Sequence, residues 1–437
     1  MTKAWAGASA SELAAQFAEG FSSAPTGLRK VGREAEYPLV DASGAAFDVA
    51  QLWEDLAQAD ADGPALEVQR APDGMIVGLE SLRFSYASEV GRGTIELITG
   101  PRHDLCQLAE DHEAGMRRLV SVADKHGAVV LGMGAQPLTP PCEALMTPKP
   151  RYGMLLDRIG ADWLSFTVTA SDQVHVDVAG PEVVAMTNLG NILAPVVIAL
   201  CANSPVMGGE DAGCCSWREA GMGAIDAARG RHGMPLRPIA SLEEHVSRIV
   251  QLPHLLHKED GVSMPAQGDF VDFLSTLDDP AAAYAAFLVQ EHYVWHSARP
   301  RSRQGTVELR AACQQPWDGH MAAAALGLGI VSGGAEIGAF LSDHLGQDAW
   351  ETMRAWHGQV VRHGLAAPEP FDGLIEGVLE RALGALRARG RREGPLLDPL
   401  FRRLARRENP AQQVRSVLRE GGLDAVISHC RIPTTLG

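Results

Sequence analysis

Ionisable side chains recur two residues apart in several stretches of this chain. Because successive side chains of a β-strand point to opposite faces, residues at this spacing share one face of a strand. Three stretches show it: GREAEY with Glu34 and Glu36, DQVHVDV with Gln173, His175 and Asp177, and GTVELR with Glu308 and Arg310.

Two further carboxylates, Glu89 and Glu96, flank paired glycines in SEVGRGTIEL. Any one acidic pair is typical of the solvated face of a strand. Five glutamates gathered with a histidine on one face, however, would repel one another without cations. Carboxylate oxygens suit Mg²⁺ or Mn²⁺, and phosphate oxygens often complete the shell. We therefore expect a divalent-metal site, provided that the fold brings these residues together.

Alternating and 3.6-residue apolar patterns predict the elements that must position these side chains. Predicted strands cover residues 31–39, 81–99 (two strands with a turn near Gly91 and Gly93), 128–133, 164–178, 290–295 and 306–311. Predicted helices cover residues 10–22, 103–126, 151–159, 181–203 and most of the chain after residue 317. This order favours an open sheet with helices on one face and a polar cleft on the other.

Composition excludes several classes of protein. The net charge of −16 argues against a nucleic-acid binder, although it permits local binding of ATP. Seven cysteines without a CxxC spacing indicate reduced thiols rather than a disulfide scaffold or a zinc site. The N-terminus lacks an apolar signal region, and the longest apolar run, residues 192–202, is too short for a membrane span. We expect a soluble, cytoplasmic protein.

Five motifs, in this order, resemble the glutamate–cysteine ligase superfamily, and most closely its plant-type branch and the bacterial relatives that include ergothioneine-pathway ligases. GREAEY resembles the family's G-x-E-x-E strand, and SEVGRGTIELITGP resembles its E-x-G-x-x-x-E-L-[ST]-G-x-P segment. The other three are PRYGMLLDRIG with TASDQVHVDV, LCANSPVMGGEDAGCCSWR, and GTVELRAA. The resemblance runs from about residue 31 to residue 317.

This resemblance implies an α+β fold of the glutamine synthetase type: a curved, mostly antiparallel sheet, helices on its outer face, and a helical C-terminal part. A single catalytic domain would cover residues 1–437, with the sheet and site in about 25–317 and the C-terminal helices in about 318–437. The implied activity is ATP-dependent joining of a carboxylate to an amine through an acyl phosphate. The first candidate product is γ-glutamylcysteine.

The resemblance also implies residue roles. Glu34, Glu36, Glu89, Glu96, His175 and Glu308 would bind the Mg²⁺ or Mn²⁺ ions that hold the ATP phosphates. Arg310 would contact the transferring γ-phosphoryl group, so Arg310 and Glu308 are the candidate catalytic residues. Arg151 and Arg218 would bind the carboxylate substrate, with Gln173 beside them, because a guanidinium binds a carboxylate through two parallel hydrogen bonds.

Departures from the plant-type pattern leave the identity of the amine substrate open. His175 stands where plant-type members tend to carry asparagine, and Asp172 adds a charge where a small or apolar residue is common. Residues 239–280 show no clear match to the plant-type acceptor region. The alternatives are a ligase of the same chemistry with another amine or acid, a phosphotransferase of the same broad fold, and an inactive binding protein. The intact acidic pairs and Arg310 argue against the last.

Overall fold

The computed structural model describes residues 9–24, 27–58 and 66–435. Its strands, in chain order, are β1 Val31–Val40, β2 Glu67–Arg70, β3 Ile76–Glu80, β4 Phe84–Ser88, β5 Thr94–Arg102, β6 Val129–Val130, β7 Asp172–Asp177, β8 Val206–Met207, β9 Glu210–Asp211, β10 His232–Gly233, β11 Leu256–Glu259, β12 Val262–Pro265, β13 Trp295–His296, β14 Ala298–Arg301 and β15 Thr306–Leu309.

The helices alternate with these strands and then fill the C-terminal part. They are α1 Ala10–Ala18, α2 Trp53–Gln58, α3 Leu105–Lys125, α4 Pro150–Ile159, α5 Val183–Ile192, α6 Ala194–Cys201, α7 Trp217–Arg229, α8 Leu242–Val250, α9 Phe270–Leu274, α10 Pro280–His292, α11 Ala322–Ser332, α12 Gly334–Leu345, α13 Ala349–His363, α14 Leu374–Ala388, α15 Asp398–Arg406 and α16 Pro410–Cys430.

One large sheet organises the described residues. Its strand order is β14-β15-β7-β1-β5-β4-β3-β2, with β6 also paired to β1, and these neighbours all run antiparallel. The register sets His175 opposite Glu308 and Glu36 opposite Glu96. The neighbouring strands β15, β7 and β1 therefore carry the three spaced motifs side by side, and β5 adds Glu96 next to β1.

The two faces of the sheet differ in polarity. On β1, Ala35 and Tyr37 are fully buried on the helix-covered face, whereas Glu34 and Glu36 alternate with them and point to the other face. Helix α3 packs so tightly that a Cβ on Gly115 would lie 2.7 Å from a methyl carbon of Leu97 on β5. The α+β prediction, with helices outside and a polar cleft inside, is confirmed.

Most predicted elements are confirmed, with small changes at their ends. The strand at 31–39, the two strands within 81–99, and the helices at 103–126 and 151–159 are present. The helix predicted at 10–22 ends at Ala18, and the strand predicted at 128–133 has only two residues. The chain after residue 317 is mainly helical, as expected.

Three predictions of secondary structure were wrong in part. Residues 161–167 form a 3₁₀-helix, so the strand predicted at 164–178 begins only at Asp172. Residues 290–292 end helix α10 rather than begin a strand. The helix predicted at 181–203 is two helices that meet at Leu193, because the ring of Pro195 occupies the first turn of the second helix.

Each of the seven cysteines is a free thiol, as the sequence indicates. Within the described residues no single helix is long and apolar enough to cross a membrane. Two bent pairs of helices reach that length and composition only when each pair is taken together.

Candidate active site

The first cluster of potential metal ligands lies on three adjacent strands. Glu34 on β1, His175 on β7 and Glu308 on β15 offer ligand atoms that lie within 4.8 Å of one another. The Nδ1 atom of His175 lies 3.1 Å from the hydroxyl of Thr306, which fixes the ring. Its Nε2 atom lies 3.2 Å from Glu34, so this nitrogen faces the carboxylates of the triad, as the ligating atom of a metal-binding imidazole would.

The second cluster lies beside the first, across β1. Glu36 on β1, Glu96 on β5 and Glu89, which follows β4, offer oxygens within 4.8 Å of one another. The backbone N–H of Ser171 donates to Glu36 at 2.5 Å, and the side-chain amide of Gln173 donates to it at 2.9 Å. These two donors hold the Glu36 carboxylate in place. The glutamates predicted from sequence therefore divide into two triads, and the second consists of carboxylates alone.

Arginines surround Glu308 in the first triad. Arg299 on β14 donates to both of its oxygens, at 2.8 and 3.1 Å, and Arg301 lies 3.5 Å away. Arg310 also contacts Glu308, and it donates to the Oε1 atom of Gln173. Since Gln173 in turn donates to Glu36, its amide links Arg310 to the second triad.

Proton affinities differ sharply between the two triads. Burial alone would raise the pKa of Glu308, but Arg299 and Arg310 hold it well below its ordinary value. In the second triad, burial and the charge of Glu89 raise the pKa of Glu36 to about 7 and that of Glu96 well above its ordinary value. The carboxylates of the second triad therefore repel one another when they are ionised, and a bound cation would relieve this repulsion.

Both triads face one cavity of about 320 Å³. All of the site residues predicted from sequence line it except His175, which is buried beside it. A second cavity, of about 540 Å³, adjoins the first. The two share Arg151, His292, Tyr293 and Arg301. The joined space is large enough for more than one small molecule.

Three further cations line the first cavity. Arg151 hydrogen-bonds the hydroxyl of Tyr152 at 3.2 Å, and its buried Nε atom makes no hydrogen bond with the described residues. Arg218 pairs with Glu219 at 2.7 Å. Lys149 donates to the carbonyl oxygen of Ser88 at 2.7 Å, and burial together with Arg151 lowers the pKa of this lysine to about 8. These cations can receive the carboxylates of substrates.

The chain matches the sequence profile of glutamate–cysteine ligase family 2 over residues 30–425. It belongs to that family. It is accordingly an enzyme of the ATP-dependent glutamate–cysteine ligase class, and its general chemistry is that of a carboxylate–amine ligase.

Relatives of this glutamate–cysteine ligase family member come from bacteria, archaea and plants. It is 29% identical over 419 residues to a putative glutamate–cysteine ligase 2-3 of Rubrobacter xylanophilus, covering 91% of this chain and 95% of that protein. It is 27% identical over 359 residues to the glutamate–cysteine ligase of Natronomonas pharaonis, covering 79% and 85%. The crystal structure of the Francisella tularensis glutamate–cysteine ligase in complex with AMP shares the fold, with a TM-score of 0.50, 9% identity, and 94% and 88% coverage.

Sequence reasoning missed several residues of this family member's cavity. Arg299 and Arg301 lie in the segment SARPRSRQG, between the strands predicted at 290–295 and 306–311, and they have the same i, i+2 spacing as Glu308 and Arg310. That spacing was the available signal for a strand face. Lys149 and the aromatic residues Trp163, Phe166 and Trp295 carry no local signal, because their place at the cavity depends on how distant segments pack.

Proposed function

We propose that this enzyme uses ATP to join the γ-carboxylate of glutamate to an amine through an acyl phosphate, with cysteine as the amine and γ-glutamylcysteine as the product. The observation that carries this proposal is the pair of acidic triads in one cavity. Among the described residues, arginines lie within ion-pair distance of the first triad, at Glu308, and not of the second. Such an asymmetric site suits a reaction in which a polyphosphate meets a second, carboxylate-bearing substrate.

The donor sets of both triads fit divalent cations. Glu34, His175 and Glu308 would hold one ion, and Glu36, Glu89 and Glu96 would hold a second. The raised pKa values of Glu36 and Glu96 support the second site, since the repulsion among three carboxylates, one buried and two partly buried, is what a bound cation relieves. Mg²⁺ or Mn²⁺ at these positions would neutralise phosphate oxygens and polarise the phosphoryl group.

The arginines around Glu308 suit the polyphosphate of ATP. Arg299, Arg301 and Arg310 point toward the first triad, and Arg301 also lines the second cavity. That cavity is mainly apolar, with Phe273, Leu277 and Val289 among its lining residues, so it offers room for a base and ribose. We assign the nucleoside to this second cavity and the β- and γ-phosphates to the first triad.

Arg151 and Arg218 suit the acid substrate. In the described part of the chain no carboxylate lies within ion-pair distance of Arg151, which leaves its guanidinium charge for a ligand. The Nη1 atom of Arg218 pairs with Glu219, and its buried Nε atom makes no hydrogen bond within the described residues. Together they would orient glutamate with its γ-carboxylate toward the second triad.

The chemistry then proceeds in two steps. An oxygen of the γ-carboxylate attacks the γ-phosphorus of ATP, the bond from phosphorus to the ADP oxygen breaks, and an acyl phosphate forms. Arg310 stabilises the negative charge on the transferring phosphoryl group. The amine nitrogen next attacks the acyl carbon, the bond from that carbon to the phosphate oxygen breaks, and a carboxylate takes the nitrogen's proton. The products are the amide, ADP and phosphate.

An ADP-release assay with product mass spectrometry tests this proposal. Purified enzyme is given ATP, Mg²⁺, glutamate and one amine at a time from a panel that includes cysteine and glycine. We expect ADP release that depends on glutamate, together with a product having the mass of a glutamyl amide. A phosphorylated product with no amide for any amine would instead indicate a phosphotransferase and would overturn the proposal.

A further inference from the structure

A small pocket lies between helices α15 and α16 and the segment that follows β15. It has a volume of about 50 Å³, and its border includes Arg402, Arg403 and Arg406 of α15, Gln413 of α16, and Asp318. We call it the arginine pocket. Among the described residues it shares no lining residue with either cavity of the candidate active site. The proposed ligase chemistry gives it no role.

The three arginines reach the arginine pocket because of their spacing on α15. Arg402 and Arg406 are four residues apart, and Arg403 lies three residues before Arg406, so the three side chains leave adjoining parts of one helix face. Arg402 and Arg406 are exposed, whereas Arg403 is only 7% exposed. One small pocket therefore gathers three guanidinium groups that differ in their access to solvent.

Arg403 has only neutral hydrogen-bonding partners. Its Nη1 atom donates to the carbonyl oxygen of Leu200 at 3.1 Å and to Oε1 of Gln315 at 2.7 Å, and it lies 4.0 Å from the thiol of Cys201. Its Nε and Nη2 atoms make no hydrogen bond with the described residues. A Cβ on Gly319 would lie 3.0 Å from Nη2, which places this free donor beside the border of the pocket.

The positive charge at the arginine pocket is not balanced by nearby carboxylates. Within the described residues no carboxylate lies within ion-pair distance of the three arginines, and Asp318 attracts Arg403 only over a longer distance. Burial lowers the pKa of Arg403, but a guanidinium stays protonated in a protein. A buried charge is costly unless an opposite charge accompanies it. An anion in the pocket would supply that charge.

We propose that the arginine pocket binds a small tetrahedral oxyanion, inorganic phosphate or sulfate, as the counter-ion of Arg403. Guanidinium groups bind such anions through parallel hydrogen bonds, and Nε and Nη2 of Arg403 are the two donors left for them. The volume of about 50 Å³ is a few times what one water molecule needs, which suits a compact ion and leaves no room for a nucleoside. This inference does not depend on the proposed ligase function.

Thermal unfolding in different salts tests the inference in solution. Wild-type enzyme and the double variant Arg402→Gln/Arg406→Gln are compared in sodium phosphate, sodium sulfate and sodium chloride of equal ionic strength. An anion that binds only the folded protein raises its melting temperature. We expect phosphate and sulfate to raise that of the wild type by at least about 1 °C more than that of the double variant.

Two features of this comparison isolate the pocket. General stabilisation by excluded salts, and any anion bound at the active site, act equally on both proteins. The matched control is Arg387→Gln/Arg391→Gln, which removes the same charge from exposed positions at and after the end of α14. This control should gain as much from phosphate and sulfate as the wild type does.

Two further measurements locate the anion and identify its source. In crystals grown with selenate, anomalous scattering should place selenium within hydrogen-bonding reach of Arg403. AMP carries a phosphate group on a nucleoside, and we expect it to stabilise the wild type and the double variant equally. An AMP effect that the double variant loses would support recognition of an oxyanion but would assign that oxyanion to a nucleotide.

The inference is overturned if phosphate and sulfate stabilise the wild type and the double variant equally, or if no selenium lies at the arginine pocket. Selenium at the pocket without a difference in solution would indicate an adventitious ion only and would overturn it as well. None of these outcomes concerns amide formation, so the ligase proposal stands or falls separately by the ADP-release assay.

Discussion

Arg299 binds both carboxylate oxygens of Glu308, with distances of 2.8 Å from Nε to Oε2 and 3.1 Å from Nη2 to Oε1. The two residues lie directly opposite each other on β14 and β15. Glu308 is buried, and Arg310 contacts it as well. This carboxylate is thus part of a buried ion-pair network in addition to its proposed role as a metal ligand, and the two roles predict different effects of mutation.

The first prediction contrasts Glu308→Gln with Glu36→Gln. Both should abolish turnover, since each removes a proposed metal ligand. Only Glu308→Gln should strongly reduce the free energy of unfolding, by about 3–5 kcal/mol, because it leaves the buried guanidinium of Arg299 without its counter-charge. Glu36→Gln should lower the free energy of unfolding by about 1 kcal/mol or less, because the pKa of Glu36 is already raised to about 7 and a neutral amide resembles its protonated form.

Urea denaturation and the ADP-release assay together check this contrast. Glu67→Gln is the matched control, because Glu67 is an exposed carboxylate of β2 at the edge of the same sheet. It should change neither activity nor stability. Normal turnover by Glu36→Gln would remove Glu36 from the proposed metal site, and unfolding of this variant would indicate a structural role instead.

The second prediction concerns the number of metal ions. We expect activity to vanish with EDTA and to return with Mg²⁺ or Mn²⁺, because the two triads need cations to hold phosphate groups beside carboxylates. Titration with Mn²⁺, followed by electron paramagnetic resonance in the presence of a non-hydrolysable ATP analogue, should show two bound ions per chain. Glu36→Gln should reduce this number to one. Full activity in a rigorously metal-free preparation would contradict the site assignment.

The third prediction tests Arg310 as a group that stabilises the transferring phosphoryl. Arg310→Lys should lower kcat at least about tenfold, equivalent to about 1.4 kcal/mol, because lysine keeps the charge without the planar fork. Arg310→Ala, which removes the charge as well, should lower kcat further. The KM for ATP should change less than kcat, since Arg299 and Arg301, which also lie against Glu308, would still bind the phosphates.

Steady-state kinetics at saturating glutamate and amine measure both constants. Arg362→Lys on α13, an exposed arginine, provides the matched control and should behave as the wild type does. An unchanged kcat for Arg310→Ala would show that the strand carrying Arg310 has no part in phosphoryl transfer.

The fourth prediction concerns stability in acid and depends on His245. This buried histidine on α8 packs near Phe17, and burial, with smaller contributions from His296 and Arg248, lowers its pKa to about 3. The unfolded chain takes up the proton near pH 6.5, whereas the folded chain does not, so stability falls as pH falls from about 6.5 toward 3. Between pH 6.5 and 5 this one group should cost about 2 kcal/mol.

Urea denaturation at the two pH values measures this loss. Glutamine cannot take up a proton in this pH range. The free energy of unfolding of His245→Gln should therefore fall by about 2 kcal/mol less than that of the wild type between pH 6.5 and 5. His363→Gln, at an exposed position on α13, should keep the wild-type pH dependence. Equal losses for His245→Gln and the wild type would mean that His245 takes up its proton in the folded state.

Much of the polar face of the sheet could be predicted from sequence because strand alternation is a local property. Glu34 and Glu36 share a face by their spacing alone, and so do Glu308 and Arg310. The same local logic failed at residues 164–167, where an alternating pattern folds as a 3₁₀-helix that packs Trp163 and Phe166 into the cavity. Packing of these rings against Trp295 overrides the local strand preference there.

Only the tertiary structure decided how the acidic residues are grouped. Sequence reasoning gave one set of six metal ligands, but strand pairing places His175 opposite Glu308 and Glu36 opposite Glu96, which divides the set into two triads. The amino-acid sequence by itself thus determined the fold class, the family and the types of residue that form the site. The pairing register, the arginines around Glu308 and the packing of Trp163 and Phe166 on Trp295 depend on contacts between segments far apart in sequence, and no local pattern encodes such contacts.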